Sequence, residues 1–174
     1  MSDQDLSAIK SVAVEWSLLL ETALDRICHC VRQLNHEQIW WRPAEGMNSV
    51  GILLRHLRGN LKQWVVEGVR QVPGSRDRAA EFESTQEQPA EQLLEDLCQV
   101  CAAAREVINS LNESHLTERR QIQGFQVTVC GAVMHSVPHF VGHTHQIVQL
   151  TRMQLGQQYQ QHWDPQADRS RVPL

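Results

Sequence analysis

Two histidines four residues apart, His139 and His143, are the first feature of this sequence that carries a chemical meaning. Inside a helix that spacing sets two imidazoles one turn apart on one face, so both rings can reach a single ion. Imidazole is the side chain that zinc, nickel and iron accept most readily. The chain has nine histidines, however, so a spacing of four also arises by chance, and a surface pair is the alternative. His135, Gly142 and Gln146 share the face of the pair, directly beside the apolar side of the same segment. A partly buried polar face needs partners. His56 is the candidate third ligand, because it flanks an apolar run near Leu53, Asn60 and Trp64 where a neighbouring helix could meet it. A lone histidine in such a run is more often a core or surface residue than a ligand.

Other candidates carry less. Cys28-His29-Cys30 is spaced too tightly for a usual zinc knuckle, and Cys98 with Cys101 lies inside a helical stripe, where reduced thiols packed in the core are expected. Five cysteines form an odd set in a chain large enough to have a core without staples, so disulfides are not implied. No acidic residue stands on the histidine face of either helix at the spacing a general base requires. Asn60, Trp64, His135 and Gln146 remain as candidates for lining a pocket.

The elements that must position these residues are helices. Ile9, Val12, Trp16, Leu19, Leu20, Ala23, Ile27, Val31 and Leu34 recur at threes and fours and predict a first helix over about 6–34. A packed loop rich in aromatics is expected from His36 to Met47. Asn48 and Ser49 then offer caps for a second helix that runs from Val50 to about Arg70. The polar connection from Gln71 to Ala90 is too long for a tight turn and should cross one end of the bundle or cover something. Leu93, Leu97, Val100, Cys101, Ala104 and Ile108 mark the third helix. Alternation at Ile122, Gly124, Gln126 and Thr128 suggests a short extended excursion over 119–128. A fourth helix follows over about 131–155, with Pro138 as a kink or as its true first turn. The expected architecture is an all-α four-helix bundle over 1–156 with a polar tail over 157–174, anchored if at all by Trp163 and Pro165.

With 174 residues, a net charge of −4 and no basic block, the chain fits one globular domain and disfavours nucleic-acid binding. The opening residues lack a leader pattern, and nowhere do about eighteen apolar residues run uninterrupted, so a soluble cytoplasmic protein without membrane contacts is expected.

Three segments together resemble a known family: NSVGILLRHLRGNLKQWV at 48–65, RDRAAEF at 76–82 and HFVGHTHQI at 139–147. They are similar to the DinB/YfiT-like metalloprotein superfamily, especially a small bacterial branch of it. The family pattern is a histidine inside the apolar run of the second helix, then two histidines four apart near the C-terminus with Gln-Ile just beyond. His56, His139, His143 and Gln146-Ile147 match it, and the likeness spans about Trp40 to Leu155. His145 stands where glycine is usual, and Pro138 where a helix former is usual. The resemblance implies a bundle with a three-histidine site for one divalent metal ion, zinc or nickel, and a homodimer. Its relatives include thiol-dependent transferases and isomerases. Three protein nitrogens leave coordination positions open, as catalytic sites do. Two functions are therefore expected: a metal-dependent thiol transferase or hydrolase acting on a small molecule, with a low-molecular-weight thiol as co-substrate in the first case, or a non-catalytic, stress-associated metal-binding bundle.

Overall fold

The computed structural model describes residues 8–83 and 87–161. Helix α1 spans Ala8–Val31 and buries Ile9, Trp16, Leu20, Ala23 and Ile27 of the expected stripe, but Val12 and Leu19 face solvent and Ala13 takes the inward place, because the buried face is narrower than the apolar pattern. Residues 36–47, expected as a loop, instead open with a short helix α2 (His36–Trp40). Asn35 accepts from the Gln38 N–H while the Gln38 side chain returns to the Asn35 N–H, a capping box that nucleates the turn despite its aromatic content.

Helix α3 (Val50–Leu61) starts on Ser49, whose hydroxyl accepts from the Ile52 N–H at 3.2 Å. The same rod continues through a π-helical segment, Lys62–Glu67, into α4 (Gly68–Arg70) and ends at Gln71, which adopts the left-handed conformation. The connection after it carries helix α5 (Arg78–Glu83). Helix α6 (Ala90–Asn109) turns Leu93, Leu97, Cys101, Ala104 and Ile108 inward. Cys101 is buried, but Cys98 is exposed, against the expectation that both lie in the core. Cys101 shares the face of Leu97 and Ala104, whereas Cys98 is turned about 100° from Leu97.

A one-turn helix α7 (Glu113–Leu116) precedes the excursion over 119–128, which is a hairpin of β1 (Arg119–Ile122) and β2 (Phe125–Thr128). The strands pair antiparallel from Arg119–Thr128 to Ile122–Phe125, leaving Gln123 and Gly124 as a two-residue turn. Both turn residues have positive φ, 53° and 82°, as the tightest hairpins require. Thr128 then caps α8 (Val129–Leu155), accepting from the Gly131 N–H at 3.0 Å. Pro138 lies inside α8 rather than at its start, on its exposed side. Buried Thr144 and Thr151 donate back to the carbonyls of Phe140 and Ile147, which lets them sit on the apolar side.

Helices α1 and α3 each pack against both α6 and α8, giving a four-helix ring with the hairpin beside it. Leu20, Ile27, Leu53, Leu57, Leu97, Ile108, Phe140 and Ile147 fill its centre, each at most 1% exposed. Beyond α8 a 3₁₀ turn, Gly156–Gln158, brings Tyr159 against His29 and Arg152. Trp163 and Pro165 lie outside the described residues. Among the described residues no helix is long and apolar enough to cross a membrane.

Candidate metal centre

Helix α8 carries His139 and His143 one turn apart, and α3, packed against it, presents His56 from the opposite side. One ligand nitrogen from each of the three lies within 4.8 Å of the others. The rings stand nearly edge-on to one another. His56–His139, His56–His143 and His139–His143 have centroids 5.0, 5.2 and 4.4 Å apart and interplanar angles of 76°, 86° and 89°. His56 Nε2 and His139 Nε2 approach to 2.9 Å. Nitrogens bound to one ion at about 2.0–2.1 Å stand roughly 2.9–3.4 Å apart between right-angle and tetrahedral coordination, so the His56–His139 spacing suits a shared ion.

The tautomers follow from the partners. His56 Nδ1 lies 3.0 Å from Glu81 Oε2, and an ionised carboxylate can only accept. Nδ1 therefore carries the proton, Nε2 keeps its lone pair, and the Arg76 guanidinium 3.3 Å from Nδ1 is a neighbouring charge rather than a second donor to it. His143 Nδ1–H likewise donates to Gln146 Oε1 at 2.9 Å, which leaves its Nε2 free. Such outer hydrogen bonds fix ring orientation and raise ligand basicity in metalloproteins.

Glu81 is itself held. Arg76 donates to it through Nε at 2.6 Å and through a terminal nitrogen at 2.7 Å, and also to Gln63 Oε1 at 3.0 Å. The Arg76 and Glu81 side chains are only 6% and 10% exposed. Burial pushes the Glu81 carboxyl up, but the Arg76 and His56 contacts outweigh it and hold the group below its usual range. Gly59 makes this approach possible, since a Cβ there would run into Glu81 Oε1 and Arg76 Nε. Burial, then the neighbouring His143, His56 and His135, and Arg76 push His139 down to about 4. Burial also lowers His143, against the opposing Gln146 hydrogen bond. Both rings are neutral near pH 7, the form in which imidazole ligates. The donor set thus fits a divalent ion: three imidazoles, two of them tautomerically fixed, converge with lone pairs inward.

The fold has solved counterparts. It is similar to the crystal structure of a conserved protein from Enterococcus faecalis, at 18% identity and TM-score 0.66, covering 83% of this chain and 98% of that one. It is also similar to a DinB-like protein from Bacillus cereus, at 16% identity and TM-score 0.62, covering 80% and 88%. At such identities the likeness establishes the fold. No curated protein matches the chain. Residues 15–166, which contain all three histidines, match the family described as "Protein of unknown function (DUF1572)". The chain belongs to that family, and its fold is that of the DinB-like bundle.

Around the histidines this DUF1572 chain places groups that sequence reasoning had only partly named. Asn60 is buried and accepts from Ser136 at 2.7 Å, and Trp64, 3% exposed, stacks on His135 with centroids 3.8 Å apart. Glu81, Arg76 and Phe82 were not assigned roles. They lie on or just before α5, so the long connection covers His56, with Phe82 5.1 Å from its ring. The signal was present as the RDRAAEF segment, but only docking shows which way it faces. A cleft of about 410 Å³ opens beside Arg76 and Glu81, among Arg58, Lys62 and Asp77, and none of the three histidines lines it.

Proposed function

We propose that this DinB-like protein binds one divalent ion, zinc or nickel, through His56, His139 and His143, and uses it for thiol transfer to, or hydrolysis of, a small molecule. The observation that carries the reading is the convergence of three ligand nitrogens within 4.8 Å. When bound, such an ion supplies a Lewis acid with open positions, able to acidify water or a thiol and to polarise a carbonyl. Glu81, held by Arg76, orients His56, and Gln146 orients His143. In thiol transfer the thiol proton would pass to solvent, sulfur would bond to the electrophilic carbon, and the leaving group would depart with the bonding pair. A homodimer belongs to the same reading, supported by apolar residues outside the core stripe such as Val14, which is 55% exposed.

A specific feature favours the non-catalytic alternative as well. The nearest carboxylate, Glu81, is already engaged by Arg76 and His56, which leaves it no capacity as a general base. The deciding experiment is metal analysis of protein prepared without a histidine tag, followed by turnover assays with low-molecular-weight thiols plus electrophiles and with esters or amides, before and after chelation. One equivalent of metal, lost in His143→Ala together with turnover, is the expected result. A fully loaded protein inert in every assay would move the conclusion to a binding role, and turnover that survives complete metal removal would refute the mechanism.

A further inference from the structure

Aromatic rings lead from solvent to the histidines. Phe125, directly after the hairpin turn, is 62% exposed, and its ring lies 6.4 Å from that of Trp64 at 31°. Trp64 stacks on His135 at 3.8 Å, and His135 in turn lies nearly parallel to His139, 13° apart in plane and 5.9 Å in centroid. Trp64 is buried while Phe125 and His135 are exposed, so the two exposed rings lie against one buried ring as a short aromatic shelf. Its inner end is one helical turn from His139. A solvent-facing phenylalanine has no role in the bundle core, whose residues lie elsewhere. It adds instead an apolar ring beside Trp64, at the outer end of a succession of rings that leads to groups able to hold a polar head.

Resting on the metal reading above, we infer that Phe125 and His135, backed by Trp64, bind the planar apolar arm of a ligand whose polar head meets the metal. The substrate class is then an aryl or similarly flat unsaturated compound that bears a metal-ligating carbonyl, carboxylate or thiol. Small polar compounds without such an arm are poor ligands.

The test uses the full chain loaded with zinc and two probes that share one chelating head, benzohydroxamate and acetohydroxamate, titrated by calorimetry. The ratio of their affinities isolates the arm. A ring lost from an aromatic contact should lower that ratio roughly three- to tenfold in Phe125→Ala, and similarly in His135→Ala. Both side chains are exposed, so the fold should survive, which circular dichroism checks. In Phe82→Ala, whose ring contacts His56 from α5 and is not part of the shelf, the ratio should stay within about twofold of the unmodified protein, less than the loss of an aromatic contact. A ratio unchanged in both shelf variants, or lost only in Phe82→Ala, overturns the shelf while leaving the metal reading intact. Failure of the unmodified protein to hold zinc, or to bind either hydroxamate when loaded, overturns the metal reading and the shelf with it.

Discussion

Replacing Glu81 by glutamine removes a charge while keeping the side chain's length and one acceptor. In the native protein this carboxylate does two things: it fixes the His56 tautomer at 3.0 Å and neutralises Arg76, whose side chain is 6% exposed. Loss of an outer-shell partner of this kind typically lowers metal affinity about 10- to 100-fold, roughly 1.4–2.8 kcal/mol. Stability should fall separately, by about 2 kcal/mol, because charge-assisted hydrogen bonds to Arg76 become neutral ones. Glu81→Ala should cost about 3–5 kcal/mol, since it strands a buried guanidinium. The two effects are read independently, affinity by competition with a chromophoric zinc chelator at neutral pH and stability by urea denaturation of the metal-free protein. A Glu81→Gln variant that folds and binds zinc within about twofold of the parent, while His143→Ala has lost it, would show that the carboxylate does not orient His56.

Three further outcomes follow from particular contacts. Gly59→Ala should weaken metal binding about tenfold or more by displacing Glu81, even though alanine is favoured over glycine in a helix by about 1 kcal/mol; stronger binding would refute the close approach. Pro138→Ala should stabilise the protein by about 1–3 kcal/mol in urea denaturation, because it restores a helical N–H on the exposed side of α8. Burial first, and then Cys98, raise the Cys28 thiol to about 11 from 9.0, so its thiolate fraction at pH 8 is about a hundredfold below that of an unshifted thiol. Because the thiolate is the nucleophile, iodoacetamide labelling followed by mass spectrometry should find Cys28 correspondingly slow, and its rate should climb about tenfold per pH unit between pH 7.5 and 9.5.

What the sequence disclosed follows the range of the interactions involved. Helices α1, α3, α6 and α8 were legible because burying one face imposes a period, and the Ser49 cap because it is a local contact. His139 and His143 were legible as a pair because one helix sets their spacing, and His56 through its apolar context and the family resemblance. Helix α2 was missed although its signal, Asn35 with Gln38 three residues on, is written in the chain; the neighbouring Trp40, Trp41 and Pro43 obscured it. Glu81 and Arg76 escaped for a different reason. They sit in and just before a short helix in a polar connection, and nothing local says which way that helix docks. Phe125 lies in a hairpin whose docking is likewise set by distant contacts, Ile122 packing against Gly68 and Arg120 donating to the Val69 carbonyl. Cys98 was placed inside by a stripe one residue too wide.

The widened turn at Lys62–Glu67 separates the length of this rod from the facing of its residues. A π-helical turn holds one residue more than an α-helical turn and so takes up an extra residue locally. Excising one residue there would let the rod close into regular α-helix while His56 and Asn60 before it and Val69 after it keep their facing, whereas the same excision from regular α-helix would rotate everything downstream by about 100°. The start of the connection, and with it the docking of α5 that brings Glu81 to His56, would therefore be preserved. In an alignment of relatives, a one-residue gap between positions 62 and 67 is thus compatible with a carboxylate partner at the position of Glu81.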